Sequence, residues 1–149
     1  MTNVRPVIHL LFFGVFTIAA GTTTAAASLS GPEAIVQAQI EAYNARDIDA
    51  FVATYAEDAQ LFEHPAKLLA AGSAQLRERY AARFKDPKLH AVIVKRIVMG
   101  NLVVDHERVT RTFPEGSGVL DAVVIYELEN GKIAKAWLLL GPKTLDAKP

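Results

Sequence analysis

Apolar residues recur at helical spacing from position 31 to about position 85, and from position 89 onward they alternate with polar ones. "SGPEAIVQAQIEAYNARD" opens with Ser30 three residues ahead of Glu33, a capping-box spacing, and with Pro32 in the first turn, where its missing N–H costs nothing. A helix starts there. Val36, Ile40 and Tyr43 share one of its faces, and Gln39 stands among them as an amide that needs a partner. Asp47 caps a second helix, "DIDAFVATYAEDA", with Ile48, Phe51, Val52 and Tyr55 as its stripe. "AQLFEH" reads as a short strand closed by Pro65, which biases His64 toward an extended backbone. A third helix runs from around Ser73 to about Lys85; Leu76, Tyr80 and Phe84 recur every fourth position and turn Tyr80 inward.

Four strands follow: "LHAVIVKRIVM", "LVVDHERVTRTF", "GVLDAVVIYELE" and "KIAKAWLLL". Gly100-Asn101 and Asn130-Gly131 are tight-turn signals, while "PEGSG" reads as a longer, flexible connection. This order predicts an α+β fold, with three N-terminal helices packed on one curved antiparallel sheet.

Before position 28 the pattern is of another kind. "MTNVRPVIHLLFFGVFTIAAGTTTAAA" carries Arg5, an apolar stretch too short to span a bilayer and then small residues, which reads as a signal peptide over 1–27. The expected product is a single domain over 28–149, secreted or periplasmic and free of the membrane after cleavage. A chain of roughly 120 residues buries a core without staples. The sequence contains no cysteine, which excludes thiol catalysis and thiolate metal sites. Its 16 basic and 16 acidic residues balance and are interspersed, so no basic stripe is offered to nucleic acid. No phosphate-binding glycine loop is present, and no cofactor is expected.

"AYNARDIDAFVATYAEDAQLFEHP" and "GKIAKAWLLLGPKT", together with the element order, resemble the NTF2-like superfamily, in particular its SnoaL-like and ketosteroid-isomerase-like branch. The resemblance covers nearly the whole mature chain. It implies a cone open at one end, holding a small apolar molecule beside a few polar side chains. In ketosteroid isomerases an aspartate moves a proton while a tyrosine and a protonated aspartic acid hold the enolate oxygen. Laid along this chain without gaps, the base position falls on His64, an acid/base competent near neutral pH. The oxyanion-holding tyrosine falls on Gln39, and two neighbouring tyrosines fall on Tyr55 and Tyr80. The second acid falls near Val123 or Val124, where this chain has none.

Further candidates come from the strands. Alternation separates Asp105 and Glu107 from His106 and Arg108, and one pair faces inward. The functional version puts His106 or Glu107 across the cone from His64; the other is a salt-bridge ladder on the outer face. Asp121 points into the cone in one register and out of it in the other. Leu138 and Leu140 share a face with Ala136 as pocket wall, and Trp137 lies opposite. The spacing of His64, His106 and Glu107 specifies no metal site.

The resulting expectation is an exported protein, a homodimer by resemblance, that binds a small apolar carbonyl or cyclic compound. His64 and Gln39 would be catalytic in an isomerase- or cyclase-type proton transfer. Tyr55, Tyr80, His106, Glu107, Asp121, Leu138 and Leu140 would touch the ligand. The alternatives are a non-enzymatic binding module of the same fold and a purely structural dimer.

Overall fold

The computed structural model describes residues 29–147, so the expected leader over 1–27 lies outside the described residues. Helix α1 (Gly31–Ala45) buries Val36, Gln39, Ile40 and Ala42, the face that the spacing predicts. Ser30 stands at its cap but makes no side-chain capping bond, so the start of the helix rests on Pro32 instead of a closed capping box. Helix α2 (Ile48–Ala53) begins as expected, with the Asp47 carboxylate accepting from the N–H groups of Asp49 and Ala50.

Helix α2 is much shorter than its apolar stripe suggests. The chain enters strand β1 (Tyr55–Glu63) at once, because the Thr54 carbonyl accepts from Ile133 N–H and draws the backbone into the sheet. Tyr55 therefore reaches the interior from a strand, not from a helix face. An unanticipated strand, β2 (Lys67–Ala71), pairs back on β1, and helix α3 (Gly72–Arg83) follows it. The helices are thus an N-terminal pair and a third after a hairpin, not three N-terminal helices. Strands β3 (His90–Met99), β4 (Leu102–Phe113), β5 (Gly116–Glu129) and β6 (Lys132–Leu145) form the expected meander. The "PEGSG" connection is tighter than predicted, since Phe113 already pairs with Gly116.

All strands belong to one six-stranded sheet in the order β2-β1-β6-β5-β4-β3, antiparallel except where β1 runs parallel to β6. The three helices cover its concave face. Tyr43, Phe51, Tyr55, Tyr80 and Phe84 interlock there, with the Phe51 and Tyr80 rings 4.3 Å apart.

The "NARD" stretch stitches this layer to the sheet. Strand β3 is an edge, so its outer backbone groups lack a strand partner. The Asn44 amide supplies one, accepting from Ala91 N–H at 2.7 Å and donating to the Ala91 carbonyl at 2.8 Å. Arg46 donates to the Pro87 and Leu89 carbonyls just upstream. Replacing Asn44→Ala leaves two part-buried backbone groups unpaired, and a loss of about 1–3 kcal/mol in urea unfolding is expected. A change within about 0.5 kcal/mol, as for an ordinary surface position, would contradict this role.

Candidate functional site

Between α1 and α3 on one side and the inward faces of β4, β5 and β6 on the other lies a cavity of about 100 Å³. Strand parity decides what enters it. On β4 the odd positions face in, so Val103, Asp105, Glu107 and Val109 are buried. On β5 the inward row is Leu120, Ala122, Val124 and Tyr126, and β6 adds Leu138 and Leu140.

The polar groups form one connected chain. Gln39 Nε2 donates to the Tyr55 hydroxyl at 3.2 Å, and the Tyr126 hydroxyl lies 3.5 Å from Gln39 Oε1 and 3.1 Å from Glu107 Oε1. A hydroxyl has one proton and cannot serve both acceptors fully. When Glu107 is protonated, its own O–H donates to Tyr126, whose proton is then free for Gln39. When Glu107 is ionised, the tyrosine proton turns to the carboxylate and the Gln39 carbonyl loses its donor. The chain therefore carries the protonation state of Glu107 from β4 to α1.

Glu107 is 6% exposed, and its carboxyl is pushed up to about 7. Desolvation is the main cause and the negative charge of Asp105 on the same strand face is the second; the Tyr126 hydrogen bond and Arg96 act in the opposite sense. Asp105, fully buried, is held in a two-pronged pair with Arg96, both contacts at 2.7 Å, while Arg96 also donates to Gln37 at 3.1 Å. Burial raises the hydroxyls of Tyr55 and Tyr126 well above the usual tyrosine range and that of Tyr80 to about 12, so all three remain neutral donors. Since Tyr55 already accepts from Gln39, its own proton is free to point at a bound molecule.

The sequence-derived candidates divide cleanly by position. Gln39, Tyr55, Tyr80, Glu107, Leu138 and Leu140 line the cavity. His64 does not. Strand β1 ends at Glu63, and His64 is exposed in the following turn, tied by its backbone N–H to the Leu138 carbonyl. The buried positions of β1 are Tyr55, Ala59 and Leu61, so the parity that faces inward excludes position 64. His106 and Asp121 are corrected too: they meet on the outer face, with His106 Nε2 3.3 Å from Asp121 Oδ1 and Arg108 Nε 3.5 Å from the same oxygen. The even positions of "DHER" form the ladder on the outer face, while Glu107 takes the inward place of the functional version. His106 and Glu107 thus leave opposite faces of one strand, and among the described residues no cluster of His and carboxylate groups is placed to hold a metal.

Tyr126, the Asp105–Arg96 pair and the arginines lining the cavity, Arg79, Arg83 and Arg111, were not anticipated. A signal existed for the first two. Val103 and Val109 bracket Asp105 and Glu107 at the same parity, and Val124 precedes Tyr126 at the same parity, so both polar sets lie on apolar faces.

The SnoaL-like domain family matches residues 36–136, from the middle of α1 to the inward Ala136 of β6. The chain belongs to the SnoaL-like family. Its fold is shared with an uncharacterised cystatin-fold protein from Novosphingobium aromaticivorans, 28% identical over 75% of this chain and 99% of that one, with a TM-score of 0.67. An NTF2-like protein of unknown function from Cytophaga hutchinsonii is 20% identical over 77% of this chain and 94% of that one, with a TM-score of 0.62. A hypothetical protein of ketosteroid-isomerase-like fold from Catenulispora acidiphila, in complex with trimethylamine, is 16% identical over 70% of this chain and 82% of that one, with a TM-score of 0.61. None of the curated proteins matches. The likenesses establish the NTF2-like fold of this SnoaL-like domain, and its chemistry follows from its own residues.

Proposed function

We propose that this SnoaL-like domain binds a small, largely apolar compound bearing a carbonyl and moves a proton on it, with Glu107 as the acid/base in place of His64. The observation that carries this is a buried carboxyl, pushed up to about 7, on the wall of a cavity lined by both apolar and polar side chains and hydrogen-bonded to Tyr126. Such a group exists in both protonation states near neutral pH, which is where acid/base catalysis is most effective. In the ionised state it takes a proton from the carbon beside the carbonyl, and the electron pair moves onto the oxygen. The neutral Tyr55 hydroxyl donates to that oxygen, and Gln39, bonded to Tyr55 and Tyr126 alike, fixes both rings. Glu107 then returns the proton to the same or a neighbouring carbon, completing exchange or isomerisation without a cofactor.

Incubation with cyclic and aryl ketones in D2O tests this by NMR. The wild type is expected to wash deuterium into the position next to the carbonyl, and Glu107→Gln is expected to slow this by about 10²–10⁴-fold at nearly unchanged ligand affinity. Equal rates in the two proteins would sink the role of Glu107. Binding without exchange in either would favour the non-enzymatic module.

The leader-like stretch over 1–27 supports export, and we keep that as part of the proposal. Exposed Val92, Val94 and Met99 on the edge strand β3 support a homodimer built on the sheet.

A further inference from the structure

We infer that the compound carries a carboxylate, held on the cavity lining by Arg79, Arg83 and Arg111 while its apolar, carbonyl-bearing body reaches to Glu107. This rests on the small-molecule reading above and narrows it to an apolar keto acid.

The arginines of the described chain separate into two groups. Arg46 holds backbone carbonyls, Arg77 pairs with Asp49, Arg96 with Asp105 and Arg108 with Asp121. The remaining three, Arg79, Arg83 and Arg111, make no ion pair or side-chain hydrogen bond among the described residues, although the charge of Arg83 reaches the Asp86 carboxylate, and all three line the cavity. Arg79 and Arg83 are four residues apart on α3 and so share a face on either side of Tyr80. Arg111 comes from the opposite wall, on the same inward row of β4 as Glu107 and two pleats farther along, roughly 13 Å of strand.

Arg111 gives the strongest indication. Its guanidinium lies over the Phe113 ring at 4.5 Å, which fixes the plane of the group. Its Nε is shut off from solvent and has no hydrogen-bond partner, a condition that costs stability unless an acceptor arrives. A planar guanidinium whose two terminal nitrogens have no partner among the described residues matches a carboxylate through two parallel N–H···O contacts. Three positive charges on the cavity lining, with Arg111 two pleats along β4 from Glu107, also orient the molecule: the anionic end stays with the arginines and the neutral end goes to the acid/base. The charges of Arg79 and Arg83 reach the Tyr80 hydroxyl; Arg83 is half-buried, and Arg79 touches the cavity from an exposed position.

The test uses three matched compounds, 4-benzoylbutyrate, its primary amide and butyrophenone, titrated calorimetrically into the full chain. The carboxylate is expected to bind at least about tenfold tighter than the amide, with the gap narrowing as ionic strength rises from about 0.05 M to about 0.5 M. In Arg111→Gln the gap should fall to about twofold while the affinity for the amide is retained. Because Arg111 packs on Phe113 and its replacement could disturb β4, the pair Arg79→Gln/Arg83→Gln on α3 serves as the second variant and should reduce the same gap. Equal affinity for carboxylate and amide in the wild type overturns the inference, as does a preference that survives in both variants. If butyrophenone binds as well as the acid, this inference alone falls. If none of the three binds and Glu107 catalyses no exchange, the small-molecule reading falls with it.

Discussion

Above pH 7, Glu107→Gln is expected to be more stable than the wild type by about 3 kcal/mol, a melting shift on the order of 10 °C for a domain of this size. The carboxyl is pushed up to about 7 in the folded chain from an ordinary value near 4.5. Below about pH 4.5 the group is protonated whether the chain is folded or not, and the two proteins should differ little. Between these values the unfolded chain releases the proton and the folded chain holds it, so wild-type stability falls as pH rises. Above 7 the folded chain carries a buried, ionised Glu107 beside Asp105, and the difference levels off. The amide of the Glu107→Gln variant has no such titration and can still bond to Tyr126. Urea unfolding of both proteins at pH 5 and pH 8 measures the effect. A variant less stable than wild type at both values would contradict it. A residue whose removal stabilises the fold is one that packing does not explain, which is what a functional acid/base predicts.

Arg96→Met should have the opposite sign and at least the same size, a loss of about 3–5 kcal/mol at neutral pH. Asp105 is fully buried, and both its oxygens bond to this one guanidinium. Without Arg96 the carboxylate is left uncompensated next to Glu107, and Gln37 also loses its donor. The double variant Arg96→Met/Asp105→Leu should recover most of the loss, because replacing both partners removes the unpaired charge. A double-mutant cycle by urea unfolding reads this directly. A single-variant loss below about 1 kcal/mol, the value of an exposed pair, would show that the bridge does not hold this side of the cone. Removing Arg96 should also push Glu107 further up, since Arg96 favours its ionised form.

Much of this fold is legible because the meander obeys local rules. Alternation marks β3 to β6, and Gly100-Asn101 and Asn130-Gly131 sit where the hairpins turn. The first half is harder. Phe51, Val52 and Tyr55 satisfy a helical stripe, yet the ladder with β6 claims the backbone from Tyr55 onward, a long-range demand that local spacing does not reveal. His64 is misplaced for a related reason. An ungapped alignment carries the base position one step past the end of β1, and one step along a strand is the difference between cavity and solvent. Gln39, Tyr80 and Leu138 were legible because each lies on an apolar face fixed by its own element. The arginines lining the cavity were not, since charged residues near the ends of elements read as solvated surface until α3 and β4 are brought to one cavity.

The most direct measurement is a carboxyl-carbon NMR titration of Glu107, assigned by its disappearance in Glu107→Gln. A midpoint near 7 would match a buried acid/base facing the cavity. A midpoint near 4.5 would mean that Glu107 is solvated like any surface carboxylate, and the proton-transfer site would not exist.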